Sequence, residues 1–539
     1  MTADPGRPAV LIAATPTPNG DLHLGHLAGP YLAADVYARH LRAAGRPVVL
    51  TTCTDDSQSY VLTTARRQQV APEHLAARSA TAIARSLDAL GISMGGLPPV
   101  GAEYREAVLR FVGELHRAGR FRLRRVRLPY ATGAGVHLYD GLLSGTCPTC
   151  LAGSSGGACE SCGHPNNFDE LLDPRYSLDP DDPVELREVE ILVLPMEEYR
   201  DRLAEYYARH TPGWRDHPRQ LIEDLLAGPL PDIPVTVPGS WGIGAPFPDT
   251  PGQILYPWIE AMPASIYSTG WTHGQQVADG GDGWWGSDAG TELVYFHGFD
   301  NVYHWGLVDL VMLMAHGDRY VLPTANVCNE FYELGGAKFS TSRNHLVRVH
   351  EVLGDVPRDL LRFYLALTAP EARRTNFDRV ALPSVVHGRL VDPWNRLARA
   401  LDAALLAVGD VPGGLPTSGT GRRLAATVSR RFQACYELPT FSLGQAAETL
   451  AAQVDRLASA AAALADGPVD ATDLGDLVVQ VRALLAGAAP LLIDTAAVAA
   501  GDGWGVGAPT DAPPPTVDAL RLPPLVGVGT RRDERVPAS

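Results

Sequence analysis

The stretch AVLIAATPTPNGDLHLGH at residues 9–26 decides the fold. Its apolar start, 9–14, has the length of a buried strand, and the Pro/Asn/Gly segment after it is typical of a loop. From residue 23 to 43 apolar and small residues recur at helical spacing, and a second apolar run at 47–53 ends in Thr54-Asp55-Asp56. Two strands that flank a helix form the first half of a nucleotide-binding fold, so we expect a site in the loops at the strand ends.

The amino-acid composition changes several times along the rest of the chain. A chain of 539 residues is too long for one ordinary domain. Turns, glycine and cysteine dominate from about 120 to 230, strand and helix signals return from 255, and helical periods rich in Ala, Leu and Arg fill 382–492. These changes predict an α/β domain that is split by an insertion and followed by a helical bundle. The predicted bounds are 1–119 and 231–325 for the two halves of the nucleotide-binding domain, 120–230 for the insertion, 326–380 for a loop region, 381–500 for the bundle and 501–539 for a Pro/Gly-rich tail.

The composition is that of a water-soluble globular chain, with 45% hydrophobic and 20% charged residues. No apolar run approaches the roughly 20 residues of a membrane span, and residues 1–8 lack the pattern of a signal peptide, so we expect a cytoplasmic protein without a membrane partner. The net charge of -16 argues against a chain-wide surface for nucleic acid. A basic run at 120–127 could grip a phosphate backbone, although its alternation with apolar residues also fits a half-solvated strand.

His23-Leu24-Gly25-His26 stands where the predicted helix begins. A glycine at this place lets the backbone approach a phosphate, and the helix N-terminus and both imidazoles offer donors to a triphosphate. Such a tetrapeptide alone could occur by chance. Its position behind a buried strand and the loop Pro16-Thr17-Pro18-Asn19-Gly20 favours a nucleotide site.

Lys338, in Lys-Phe-Ser-Thr-Ser at 338–342, is the only lysine of the chain, whose other cationic side chains are arginines and histidines. A compact, mobile ammonium is therefore the expected requirement at this position. Phosphate transfer depends mostly on positioning and charge neutralisation. Histidines at one end of the site and a lysine loop at the other would supply both.

Four of the seven cysteines form two Cys-x-x-Cys pairs, Cys147/Cys150 and Cys159/Cys162. Four thiolates with this spacing close a tetrahedral Zn²⁺ site without an open position, which predicts a structural zinc. The alternative is two reduced or disulfide-bonded pairs. The scattered cysteines, at 53, 328 and 435, are most simply buried thiols of the core.

These motifs, with Thr54-Asp55-Asp56, the stretch 256–261, Asp300 with Tyr303, and 336–343, resemble those of the class I methionyl-tRNA synthetases, and the match is collinear from about 9 to 400. The resemblance implies a Rossmann-like domain split by a zinc-knuckle connective insertion, a stem-contact region at 326–380 with the signature loop, and a bundle at 381–500 similar to an anticodon-binding domain. It also implies that an amino acid is activated with ATP and Mg²⁺ to an aminoacyl adenylate.

The same resemblance assigns the site residues. It implies that Asp56 receives the α-ammonium of the substrate and that Trp258 is an aromatic wall of its pocket, although Asp55 and Asp56 could simply cap a turn and Trp258 could be a core residue. The catalytic residues it implies are His23, His26, Lys338, Ser340, Thr341 and Arg343. The ATP-binding residues are Pro16, Asn19, Gly20, His23, Gly25, His26, Asp300, Asn329 and Lys338. The amino-acid-binding residues are Ala14, Thr15, Thr17, Asp56, Trp258, Ala261, Met262, Ser265, Asn301 and Trp305.

The chain departs from the family mainly around the substrate side chain. Apolar or aromatic family residues become Thr15 and Thr17, and the later pocket has Asn301 and Trp305, so a methionine side chain would leave polar groups unpaired at ~1 to 3 kcal/mol each. A polar amino acid would fit better. The second lysine of the signature loop is replaced by Thr341, which predicts slower activation and not its loss.

Two other departures concern the acyl acceptor. The family's Pro-Trp near the end of the bundle is missing, and the only similar sequence, Asp392-Pro393-Trp394-Asn395, stands at its beginning, so we predict that anticodon reading is lost. The leading hypothesis is an adenylating enzyme that passes a polar aminoacyl group to a small amine or N-hydroxylated amine in specialised metabolism, as in relatives that assemble N–N bonds. A separate cupin partner would be needed, since the chain has no His-x-His cluster of that kind. The alternatives are a genuine methionine–tRNA ligase and a non-catalytic regulator that binds an amino acid, nucleotide or RNA.

Overall fold

The computed structural model of the protein describes residues 6–166, 168–210, 213–272, 275–276, 281–339, 345–465, 468–501 and 512–529. Three predicted catalytic residues, Ser340, Thr341 and Arg343, lie outside these ranges. Within them, no helix is both long and apolar enough to cross a membrane.

A four-stranded parallel sheet forms the core of the nucleotide-binding region, as the sequence predicts. Its strands are β1 (Ala9–Ala13), β2 (Val48–Thr51), β3 (Glu292–Gly298) and β4 (Ala325–Asn329), in the spatial order β4-β3-β1-β2. Every neighbouring pair is parallel, and all five residues of β1 are buried, as in a sheet covered on both faces. The strand order reverses between β1 and β3. Ligands of such sheets bind in the crevice at the carboxyl ends of the strands on either side of this reversal.

The helix after β1 is present but irregular. It begins as Leu24–His26, widens into a π-helical turn at Leu27–Tyr31 and continues as Leu32–Ala43. Pro30 lies in the wide turn, and it has no N–H with which to continue an α-helical ladder. Gly29 permits close packing there, because a Cβ on it would lie 2.6 Å from Asn329 Nδ2 at the end of β4.

A long segment separates β2 from β3. Its helices are Ser59–Gln68, Pro72–Ala89, Ala102–Arg117, Arg200–His210, Asp216–Ala227, Ala261–Thr269 and the short Asp282–Trp285. Strands Arg122–Ala131 and Val184–Pro195 form an antiparallel ribbon, and the cysteine knuckles lie between them in the chain. The basic run is therefore a strand, and its arginines face carboxylates: Arg122 pairs with Glu198, Arg124 with Asp232 and Arg127 with Asp169.

The carboxyl third is helical, as predicted. After Val349–Leu353 and Arg358–Leu367, its helices are Ala381–Val386, Asp392–Val408, Gly419–Tyr436, Leu443–Ala465, Ala471–Ala488 and Ile493–Gly501. A fully buried ion pair connects this region to the helix after β1, since Arg362 Nη2 lies 2.7 Å from Asp35 Oδ2. The same guanidinium donates to the carbonyl oxygens of Leu90, Pro490 and Leu491.

The described part of the tail, 512–529, packs along the bundle in an extended form. Its strand Thr516–Val517 pairs with Leu415–Pro416. Trp394 Nε1 donates to Pro523 O at 2.8 Å, and Asn395 exchanges two hydrogen bonds with the backbone of Leu525 at 3.0 and 2.9 Å. The Pro-Trp-Asn sequence at the start of the bundle therefore anchors the tail.

Candidate active site

His23 and His26 close the first turn of the helix after β1. The backbone N–H of each donates to the Nδ1 of the other at 3.3 Å, and the two rings stack with centroids 3.7 Å apart. Burial lowers the pKa of His23 and brings that of His26 to about 4, so both rings are neutral near pH 7. A neutral imidazole that accepts at Nδ1 carries its proton on Nε2. Each histidine therefore keeps one Nε2–H donor for a ligand.

Gly25 lets the signature loop dock on this turn. A Cβ on Gly25 would lie 2.9 Å from His23 Nδ1 and 3.2 Å from Phe339 Cδ2. The Phe339 ring stacks on the His23 ring with centroids 4.9 Å apart. The absence of a side chain at Gly25 thus brings the residue after Lys338 onto the histidine turn.

Lys338 lies in the short strand Ala337–Lys338, which pairs with Tyr332–Leu334. Its Nζ atom is 2.7 Å from Glu160 Oε2, 3.9 Å from Asp300 Oδ2 and 4.3 Å from the centre of the Phe331 ring. Its positive charge contributes to the lowered pKa of His26, after burial. The lysine and both histidines consequently belong to one site at the carboxyl edge of the sheet.

The other predicted ATP-binding residues surround this point. Asp300 follows β3 and accepts a hydrogen bond from Asn301 Nδ2 at 3.1 Å, and burial raises the pKa of its carboxyl despite the nearby Lys338. Asn329 ends β4 and donates to Glu330 O at 2.8 Å. Pro16 joins two loops, because its carbonyl accepts from the backbone N–H of Asp55 at 3.1 Å. Asn19 and Gly20 are half-buried in the same loop after β1.

A group of buried carboxyl groups lies beside this loop. Burial raises the pKa of Asp56 and brings that of Asp55 to about 8. Asp55 accepts from Gln58 Nε2 at 2.7 Å, and Glu260 accepts from Ser57 Oγ at 2.8 Å. Among the described residues, the buried Oδ1 of Asp56 has no hydrogen-bond partner. A carboxylate in this state can receive an ammonium group, which is the role that the family resemblance implies for Asp56.

Some polar groups of the predicted amino-acid pocket are already hydrogen-bonded within the protein. Ser265 donates to Ala261 O of its own helix at 2.8 Å, and Tyr295 OH donates to Met262 Sδ at 3.7 Å. Trp305 is buried edge-on against Tyr295 with ring centroids 4.9 Å apart. These contacts already partner the Ser265 hydroxyl, so it adds nothing to the expectation of a polar substrate. Thr15, Thr17 and Asn301 are half-buried, and the carbonyl of Ala14 accepts from Tyr31 OH.

Trp258 forms a wall of a cavity that is open to solvent on one side. Its ring stacks on His304 with centroids 3.7 Å apart and planes 14° apart. Tyr303 and the knuckle segment around Asn166 and Phe168 also line the cavity.

The four predicted metal ligands converge. Cys147 Sγ lies 3.9 Å from Cys162 Sγ, Cys150 Sγ lies 3.7 Å from Cys159 Sγ, and all four sulfurs are within 4.8 Å of one another. A tetrahedron with metal–sulfur bonds of about 2.3 Å has sulfur–sulfur edges of about 3.8 Å. The group therefore has the size and the donor set of a closed zinc knuckle.

Several residues of the site could not be identified from the sequence. Glu160 stands between the ligands of the second knuckle, a position that could have suggested a reach toward the lysine loop. His304 directly follows Tyr303 in a matched stretch. Asp140, whose pKa burial raises to about 7, accepts from Tyr256 OH at 3.0 Å. No local pattern marks Asp140, because only the tertiary fold brings it to the site.

The family model for "tRNA synthetases class I (M)" matches residues 9–401. The methionine–tRNA ligase of Christiangramia forsetii is 32% identical over 382 residues, which are 70% of this chain and 55% of that relative. The methionine–tRNA ligase of Chlorobaculum tepidum is 32% identical over 413 residues, or 75% of this chain and 58% of the relative. The chain thus matches somewhat more than half the length of these relatives.

Solved structures show the same fold. Mycobacterium tuberculosis methionyl-tRNA synthetase in complex with methionyl-adenylate superposes with a TM-score of 0.71 at 17% identity, covering 95% of this chain and 99% of that one. From the family match and these identities, the chain belongs to the class I tRNA synthetases of the (M) family.

Proposed function

We propose that this protein activates an amino acid with ATP to an aminoacyl adenylate. The observation that carries the proposal is that His23, His26 and Lys338 meet at the carboxyl edge of the sheet. Two Nε2–H donors and one ammonium suit a triphosphate, and the unpartnered Oδ1 of the Asp56 carboxyl suits an ammonium group.

In the proposed reaction a carboxylate oxygen of the amino acid attacks the α-phosphorus of ATP. The bond from that phosphorus to the bridging oxygen of the β-phosphate breaks, and pyrophosphate leaves with the electron pair. His23 and His26 stabilise the charge that develops on the phosphate oxygens, and Lys338 neutralises the leaving group. The Mg²⁺ that accompanies ATP as part of the substrate adds to this neutralisation. Ser340, Thr341 and Arg343 are proposed as further contacts from the same loop.

We propose a polar amino acid as the substrate. Thr15, Thr17 and Asn301 stand at three positions of the implied pocket and are half-buried. A methionine side chain packed on their polar groups would leave these without partners, at ~1 to 3 kcal/mol for each group that is fully buried.

The proposed acceptor is a small amine or N-hydroxylated amine of specialised metabolism. Its nitrogen or oxygen attacks the carbonyl carbon of the adenylate, AMP leaves with the electron pair, and the proton of the nucleophile passes to solvent, giving an amide or an ester. Two observations support this over tRNA. The buried Trp394 is used to hold the tail, and the ribbon residues Arg122, Arg124 and Arg127 are paired with carboxylates. A separate cupin protein would carry out a later step toward an N–N bond.

Methionine–tRNA ligation is the second candidate function, because both relatives named above are methionine–tRNA ligases. The two candidates share adenylate formation and differ in amino acid and acceptor. Zn²⁺ is proposed at the four cysteines in either case, where it would fix the knuckle and take no part in the chemistry.

The decisive experiment is ATP–pyrophosphate exchange with the purified protein across a panel of amino acids. The best substrate is then tested for transfer to total tRNA and to simple amines and hydroxylamines. Exchange with a polar amino acid and transfer to an amine are expected. Methionine as best substrate together with tRNA charging would support the second candidate. If no amino acid supports exchange, the protein would instead be a non-catalytic regulator.

A further inference from the structure

His304, which lines the cavity beside Trp258, has a polar atom that packing does not explain. His304 is 3% exposed, lines the cavity and stacks on Trp258. Its Nδ1 atom is buried and has no hydrogen-bond partner among the described residues. A phenylalanine would stack on Trp258 equally well and would leave no buried nitrogen without a partner. The nitrogen therefore points to a ligand.

Two polar neighbours of His304 in the cavity already have partners in the protein. Asn166 Nδ2 donates to Ser154 Oγ at 3.0 Å. Asp232 accepts from Arg124 Nε at 3.2 Å. The Nε1 of Trp258 faces the carboxyl of Asp140, which also accepts from Tyr256 OH at 3.0 Å. The Nδ1 of His304 is thus the buried polar atom of the cavity lining that has no partner among the described residues.

These contacts favour an uncharged ligand group. Burial lowers the pKa of His304 to about 3, so its ring is neutral and supplies one donor and one acceptor. An acidic group would meet the carboxylate of Asp232. A basic group would lose its hydration without gaining a free carboxylate, because Asp232 is already paired with Arg124 and burial raises the pKa of Asp140, beside Trp258, to about 7.

We infer that His304 is a specificity-determining residue, and that its Nδ1 recognises a hydroxyl or carboxamide group on the side chain of the activated amino acid. The inference rests on the proposed adenylation, because Trp258 is both a wall of this cavity and the aromatic residue implied for the amino-acid pocket. It deepens that proposal by naming a substrate class. The members of this class are hydroxyl amino acids and the carboxamides of the size of asparagine and glutamine.

The test uses His304→Phe, which keeps the aromatic stack and removes the nitrogen. The full-length zinc-loaded protein is assayed by ATP–pyrophosphate exchange with serine, threonine, homoserine, asparagine and glutamine, and with their apolar counterparts alanine, valine, norvaline, leucine and methionine. We expect kcat/KM for the best polar amino acid to fall by roughly 10- to 100-fold in the variant, while its apolar counterpart is unchanged or improves. His116→Phe is the matched control, since His116 stacks on Phe247 outside the cavity.

Thermal unfolding distinguishes a specificity effect from misfolding, because removal of an unpaired nitrogen within a retained stack should leave the Tm unchanged or raised. Direct calorimetric binding of the same amino acids gives a second readout that does not need turnover. Equal activation of the best polar amino acid by the wild type and by His304→Phe would overturn the inference but leave the proposed adenylation intact. A preference of the wild type for methionine or for a charged amino acid would have the same two consequences. Failure of every amino acid to bind or to support exchange would overturn the proposed function, and the inference with it.

Discussion

Glu160 Oε2, in the second cysteine knuckle, lies 2.7 Å from Nζ of Lys338, the only lysine of the chain. The lysine expected to neutralise a phosphate is thus already paired with a carboxylate. The side chains are 60% and 37% exposed, so the pair contributes no more than about 1 kcal/mol. ATP must replace this contact when it binds Lys338.

Replacing Glu160 with glutamine should therefore lower the KM for ATP by roughly two- to fivefold without changing kcat. Pyrophosphate exchange measured against ATP concentration checks this, with Glu188→Gln on the exposed ribbon as the control. The difference should shrink at high salt, since the pair is exposed. A fall in kcat at constant KM would instead mean that Glu160 positions the lysine for the reaction.

Lys338→Ala should reduce the exchange rate by about 100-fold or more, because the only ammonium near the phosphates is removed. Lys338→Arg should retain an intermediate rate, since it keeps the charge but presents a wider, planar group. The side chain is partly exposed, so the midpoint of thermal unfolding should be unchanged in both variants. An unaffected exchange rate in Lys338→Ala would contradict the assigned role.

The protein should contain one zinc ion for each chain, measurable by elemental analysis. Cys147→Ser should lose the metal and lower the unfolding temperature, because four ligands close the site. Cys435→Ser is the control, since Cys435 is equally buried but lies outside the cluster. Equal metal content in both variants would exclude a four-cysteine site.

Asp55 and Asp140 should each contribute stability that decreases as the pH rises from about 4 to about 8, against the opposite contribution of buried histidines such as His26. Burial raises the pKa of Asp55 to about 8 and that of Asp140 to about 7, so the folded protein binds these protons more tightly than the unfolded chain. The stabilisation is complete below the unfolded pKa near 4 and is lost as the pH passes through the folded values, at no more than ~1.4 kcal/mol per pH unit for each group. Urea unfolding across this range measures the slope. Asp140→Asn should make the slope more positive than in the wild type, because it removes one group whose stabilisation is lost as the pH rises, and an equal slope in the variant would argue against this assignment.

Arg362→Met should lower the free energy of unfolding by roughly 3 to 5 kcal/mol, because it leaves Asp35 buried without its main counter-charge. The double variant Arg362→Met/Asp35→Leu should recover part of the loss, since no uncompensated charge remains. Chemical denaturation of these proteins and of the single variant Asp35→Leu provides the measurement. An additive effect of the two substitutions would contradict the coupling.

The sequence predicts those parts of the molecule whose signals are local. The apolar run before Pro16 predicts β1, and the spacing of the cysteines predicts a four-sulfur cluster of the observed size. Contacts between distant segments carry no such signal. The sequence around Lys338 does not predict its contact with Glu160, and the sequence around Trp394 does not predict its hydrogen bond to Pro523. Loop geometry and side-chain packing decide which distant residues meet. The limits of the domains and the roles of the site residues remain predictions.

The register of the central sheet also governs the order in which the chain can fold. Ala9 of β1 pairs with Glu292 of β3, so the central strand is synthesised early and one of its edges stays unpaired until almost 300 residues have been made. Long-range parallel pairing is slow, because the entropy of closing the intervening loop is lost before any contact compensates for it. Most of the helices between β2 and β3 pack in one hydrophobic core with Val10 of β1 and Leu293 of β3, so they reach their final packing only when these strands pair. Closure of the sheet and burial of the intervening helices should therefore occur in the same cooperative step.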